Sequence, residues 1–156
     1  MDEKALRAVV DAVVRQVTGN LTLETARRLS EQVRAEAARL GVKAVVAVAD
    51  RAGRPILVEC MDDAYIASYD IAVNKAFTVT ALKMSTSELK PLAQPGGSLY
   101  GIQFTNDGKI VIFGGGEPLK VGETIVGGLG VSGGSEEQDT ALAAYGKHIF
   151  ESGGTR

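Results

Sequence analysis

The chain has 156 residues, 45% of them apolar and 23% charged, with a net charge of −2. That is ordinary globular composition at a length that forms one domain with a real core. The small negative charge, an aromatic content of 5% and the absence of Trp argue against nucleic acid as a partner. The single cysteine, Cys60, excludes a disulfide framework within the chain and fits a reducing cytosol.

Residues 3–17 place Leu6, Val9, Val10, Val13, Val14 and Val17 at spacings of three and four, which is one apolar face of an amphipathic helix. We therefore divide the chain into an N-terminal amphipathic helix, 1–18, and a single domain, 21–152. The acids Asp2 and Glu3 and the lack of a continuous apolar stretch there predict no secretory signal. The longest uncharged apolar run, 44–49, is strand-sized, so no membrane span and a cytoplasmic location are expected.

Thr22 is placed to cap a second helix running to about Leu40, with Leu23, Ala26, Leu29, Val33, Ala37 and Leu40 as its buried stripe and Gly41 as its stop. Residues 43–49 read as a buried strand, Asp50-Arg51-Ala52-Gly53 as a turn and residues 55–61 as the returning strand of a hairpin. Residues 67–83 look helical. Ser85-Thr86-Ser87-Glu88 matches a capping box for a short helix ended by Pro91. Residues 109–113 read as a short strand, Gly114-Gly115-Gly116-Glu117-Pro118 as a turn and residues 123–131 as another strand. Ser135 then caps a last helix. Hairpins without alternating β-α-β units predict an α+β fold, an α/β sandwich in which a central antiparallel sheet is flanked by helices.

The densest signal is glycine. Residues 96–134 hold thirteen of the nineteen glycines. Glycine is tolerated where φ must be positive or where a backbone comes close to something else, a ligand or another segment. Gly96, Gly97, Gly115, Gly116, Ser132 and Gly133 are therefore candidates to line or shape a pocket. No Walker P-loop is present. Gly128-Leu129-Gly130-Val131-Ser132-Gly133 lies too late in the chain, within and after a strand, to be a dinucleotide fingerprint. Exposed N–H groups where Val131-Ser132-Gly133-Gly134-Ser135 enters a helix would attract an anion, although an ordinary strand-to-helix turn has the same sequence. Lys75, flanked by small and apolar residues, either meets an acidic group of a ligand or snorkels at the surface. His148 is the only histidine, so neither a zinc site nor a Ser-His-Asp triad is supported. It reads as a surface residue or, alternatively, an axial haem ligand. Cys60 reads as a small core residue, and Asp62 and Asp63 as solvated turn residues or, alternatively, as ligands of a hydrated cation.

Taken in order, several motifs resemble the haem-degrading, GlcG/HbpS-like family, which includes the C-terminal domain of PduO-type corrinoid adenosyltransferases. They are Ala47-Val48-Ala49-Asp50-x-x-Gly53, Met61-Asp62-Asp63-Ala64, Ala72-x-x-Lys75-Ala76-x-Thr78, Gly115-Gly116-x-Pro118, and Gly127-Gly128-x-Gly130-Val131-Ser132-Gly133-Gly134 followed by Gln138-Asp139. The resemblance covers residues 21–150. It implies a profilin-like fold, homo-oligomers and, in some members, binding of haem or a related tetrapyrrole or corrinoid. With one histidine, a bis-His site within the chain is impossible, and a haem would take His148, Met61, Tyr65 or a ligand from a second subunit. The catalytic domain of the adenosyltransferase has no counterpart in this chain. The first helix also resembles the encapsulation peptides of bacterial microcompartment cargo. The expected function is small-molecule binding. The alternatives are an accessory or cargo role at a microcompartment shell through residues 1–18, or an enzyme acting on a small hydroxy acid or aldehyde. No nucleophile–base pair supports the last.

Overall fold

The computed structural model describes residues 2–18 and 21–155, with side chains from 2–13 and 21–155. Its elements run α1 (Glu3–Thr18), α2 (Leu23–Arg39), β1 (Val45–Asp50), β2 (Pro55–Cys60), α3 (Ile66–Leu82), α4 (Thr86–Leu92), two short 3₁₀ turns, β3 (Gly116–Val121), β4 (Thr124–Ser132) and α5 (Glu136–Glu151). The four strands form one antiparallel sheet in the order β2-β1-β4-β3. This is the expected α+β architecture.

Local chemistry sets most of the boundaries. The Thr22 hydroxyl accepts the Thr25 N–H at 3.1 Å to start α2, and Gly41 ends that helix at φ +71°, a conformation costly for residues with a Cβ. Both α4 and α5 begin with reciprocal capping boxes, Ser85 with Glu88 and Ser135 with Gln138. The Asp50 carboxylate accepts the N–H groups of Ala52 and Arg54 and closes the β1–β2 hairpin.

Strand β1 is central and covered on both faces, which is why residues 44–49 are all apolar and buried. Val46 and Val48 point to one face, where they pack with Leu29 and Val33 of α2, Leu129 of β4 and Leu142 of α5. Val45, Ala47 and Ala49 point to the other, against Ala72 and Ala76 of α3. On that second side the partners of Ala47 and Ala49 in β4 are Gly130 and Gly128. A Cβ on Gly130 would run into the Ala72 carbonyl and lie 2.8 Å from the Ala76 nitrogen; one on Gly128 would lie 2.5 Å from the Ala76 oxygen. The close approach foreshadowed by these glycines is thus made by the backbone of α3.

Several readings are corrected. Leu23 and Leu40, expected in the buried stripe of α2, are exposed at its two ends. Residues 109–113 are not a strand: Ile110 is buried, and the Val111 N–H is donated to the Thr78 hydroxyl at 3.0 Å. The strand begins instead at Gly116, inside the stretch that reads as a turn. Pro118 is tolerated there because β3 is an edge strand, where a missing N–H disrupts no second ladder. Cys60 is exposed, not core, because it ends the opposite edge strand β2. The apolar face of α1 is also open: Leu6, Val9, Val10 and Val13 are all about half exposed.

Candidate functional site

The last turn of β4, the start of α5 and the first three turns of α3 meet at one end of the sheet. Lys75 comes from the middle of α3 and is fully buried, so it does not snorkel. Its ammonium donates to the Val131 carbonyl at 2.8 Å and to Asp139 Oδ2 at 3.3 Å, and it stands 4.8 Å from the centre of the Phe113 ring. Asp139, in the first turn of α5, uses its other oxygen to accept the Gly134 N–H at 2.8 Å. The pair therefore ties α3 to the turn between β4 and α5.

Burial pushes the Lys75 ammonium below the usual lysine range, opposed by the charge of Asp139. Burial likewise pushes Asp139 up, opposed by the Gly134 N–H and by Lys75. Each partner is costly to desolvate, and each is held by the other. Gly115 completes the arrangement at φ +115°: a Cβ there would lie 2.5 Å from Lys75 Nζ and 2.7 Å from the Val131 oxygen. Beside it, Glu136 accepts Lys90 Nζ at 2.6 Å and the Gly114 N–H at 3.1 Å. Those two bonds hold its carboxyl below the usual range.

In front of this pair lies a groove. A cavity of about 240 Å³ is bounded by Ser68, Ile71, Phe113, Ser132, Gly133 and Asp139. The hydroxyls of Ser132 and Ser68 lie 3.1 Å apart in its floor. An adjoining depression of about 500 Å³ reaches Lys43 and Asp63. Tyr65, Gly133 and Gly134 border both, so Tyr65 stands on the ridge between them.

Of the residues singled out from the sequence, the structure brings together Lys75, Gly115, Ser132 and Gly133. Gly116 lies behind them, where a Cβ would be 2.8 Å from Thr86 Cγ2. Gly96 and Gly97 do not border the groove; they turn the chain after α4, and a Cβ on Gly97 would strike the Leu92 carbonyl. His148 is exposed in the last turn of α5, about two and a half turns or about 13 Å along the helix from Asp139. Phe113 and Ser68 have no place among the sequence candidates, and Asp139 has one only in the Gln138-Asp139 motif, without a role in the site. The signal for Asp139 was available: Lys75 is an isolated cation in an apolar segment and needs a partner. Among the described residues, no group of three or more His, Cys, Asp or Glu is placed to hold a metal ion. Among the described residues, no helix is long and apolar enough to cross a membrane.

The helix-covered antiparallel sheet makes this a small α+β domain, and comparison with known proteins gives its family. A model of the HbpS-like haem-degrading proteins matches residues 21–147, and the chain belongs to that family. It is 44% identical over 128 residues to an uncharacterised 15.0 kDa protein of Citrobacter freundii encoded between dhaT and dhaS, covering 82% of this chain and 90% of that protein. It is 36% identical over 141 residues to the corrinoid adenosyltransferase PduO of the same organism. That match covers 90% of this chain but only 42% of PduO, so the chain spans about two fifths of that relative. Among solved structures, a PduOC:haem complex is 38% identical and superimposes with a TM-score of 0.79, over 82% of this chain and 93% of that one.

Proposed function

We propose that this protein binds a small molecule in the groove at the β4–α5 turn, with haem or a related tetrapyrrole or corrinoid as the ligand. The observation that carries the reading is the make-up of the groove. Apolar walls from Ile71 and Phe113 face the polar Ser132-Gly133-Gly134 backbone, and Tyr65 stands on the open rim. A flat macrocycle with apolar faces and an acidic edge needs that mixture. The kinship with a chain solved as a haem complex points the same way.

In this reading Ser132 and Gly133 contact the ligand, and Gly115 and Gly116 let α3 seat closely enough to form the wall. Lys75 positions the turn: its charge is already engaged by Asp139 and Val131, so a ligand acid would have to displace one of them. Gly96 and Gly97 shape the chain after α4. A second copy of the chain would cover the exposed Ile66 and Tyr69 beside the groove. An absorbance titration with haemin, then cobalamin, tests the proposal. A saturable Soret shift that weakens in Phe113→Ala is expected. No saturable change with either macrocycle at micromolar concentration would refute it.

A second reading rests on α1. Its exposed stripe of Leu6, Val9, Val10 and Val13 fits an accessory role in which residues 1–18 attach the domain to a microcompartment shell. Deleting those residues should then abolish shell association and leave ligand binding intact; retained association would remove this reading.

A further inference from the structure

If haem is the ligand, its iron needs a donor atom that is exposed, unengaged and inside the groove. The chain offers few. His148 borders neither depression. Met61 is half-buried, and its sulfur already accepts the Ala44 N–H at 3.3 Å. Cys60 is free and exposed, but it opens onto a third hollow, beyond Lys43 and Asp63, whose walls include Glu59 and Asp62. The rest of its lining is Arg34, Lys43 and Met61, so it has no aromatic or branched aliphatic wall for a flat macrocycle such as Ile71 and Phe113 provide. Tyr69 lies one turn further along α3 and borders neither depression.

Tyr65 meets every requirement. It occupies the N-cap position of α3, which fixes its backbone, and its side chain is 74% exposed. Its phenol oxygen has no hydrogen-bond partner among the described residues. It is the side chain bulky enough to reach both hollows that borders both of them, and Ile66 beside it is 98% exposed. Lys43 also lines the larger hollow, its ammonium 3.4 Å from Asp63 in an exposed pair that an acidic edge would have to join or displace. A phenol oxygen is a hard donor suited to ferric iron, and tyrosine is one of the side chains that hold haem.

We propose that Tyr65 is the iron ligand of this chain, a deepening that rests on the tetrapyrrole reading above. On binding, the phenol gives its proton to solvent and its oxygen lone pair forms the bond to iron, with no change in oxidation state. The test is a haemin titration of the full chain followed by absorbance, with resonance Raman spectra of the ferric complex. Wild type should show an iron–tyrosinate signature. Tyr65→Phe, which keeps the exposed ring, should lose that signature and bind about 10–100-fold more weakly, since even changes in groups that only support a metal ligand cost that much. His148→Ala should change neither. A Tyr65→Phe variant with the wild-type spectrum and affinity would overturn the assignment and leave the tetrapyrrole reading standing. So would loss of the signature in His148→Ala alone. Absence of any saturable band in wild type would overturn both.

Discussion

The two faces of the sheet are packed by different means. Toward α2 and α5, large side chains interdigitate: Leu29, Val33, Val48, Leu129 and Leu142 are all fully buried. Toward α3, the contact is made by Ala47, Ala49, Ala72 and Ala76 over Gly128 and Gly130, so backbone lies against backbone. Side chains of the first kind can shift when a neighbour changes, whereas peptide groups of the second kind cannot. The site lies at the end of the rigid face. The same approach that seats α3 carries Lys75 under the β4–α5 turn.

The sharpest break in this comparison is at the buried ion pair. Asp139→Ala would leave the Lys75 charge buried without its counter-ion and should destabilise the protein by about 3–5 kcal/mol in urea unfolding. The double variant Lys75→Met, Asp139→Leu should recover most of that loss, because desolvation is removed along with attraction. A single Asp139→Ala variant of wild-type stability would show that the pair does not hold the turn.

Next in size is Gly130→Ala, which sets a methyl group against the Ala72 carbonyl and should cost about 3 kcal/mol. An unchanged denaturation midpoint would mean that α3 is free to lift from the sheet.

The pH dependence should be smaller. The folded-state pKa of Glu136 is lowered by Lys90 and the Gly114 N–H. Its contribution is therefore complete above the ordinary glutamate pKa and is lost as pH falls through the folded value. Surface pairs of this kind are worth at most about 1 kcal/mol. Glu136→Gln should flatten the acid side of the stability profile; an unchanged slope would remove Glu136 from the account.

Smallest of all should be Gly146→Ala on the opposite face. Its new methyl would meet Leu129 Cδ2 at 2.5 Å and Val33 Cγ2 at 2.8 Å, both the ends of side chains. Those ends can move, and alanine gains about 1 kcal/mol of helix propensity over glycine, so the net change should be near zero. A loss matching that of Gly130→Ala would erase the difference between the two faces.

Much of this fold was legible locally. The capping boxes at Ser85 and Ser135, the Thr22 cap, the Gly41 stop and the Asp50 turn each depend on groups a few residues apart, and each appears where its chemistry places it. Strand β3 was not legible, because Gly116 and Pro118 break strands on average. An edge position removes that objection, and edge position is a property of the whole sheet. Residues 110–112 failed in the opposite sense: their β-branched side chains favour a strand, but the Val111 N–H is taken by Thr78, a residue of α3.

The sequence by itself determined the class of the fold and the family, and pointed to segments that border the candidate groove, because periodicity, caps and ordered motifs are local properties. Only the tertiary structure decided what those segments do. It set the glycines of β4 beneath a helix, buried Lys75 against Asp139 sixty-four residues away, and left His148 outside the groove and Tyr65 on its rim. The reason is physical. Burial and the pairing of charges depend on which distant backbones approach, and that approach is fixed only when the sheet and its helices close on each other.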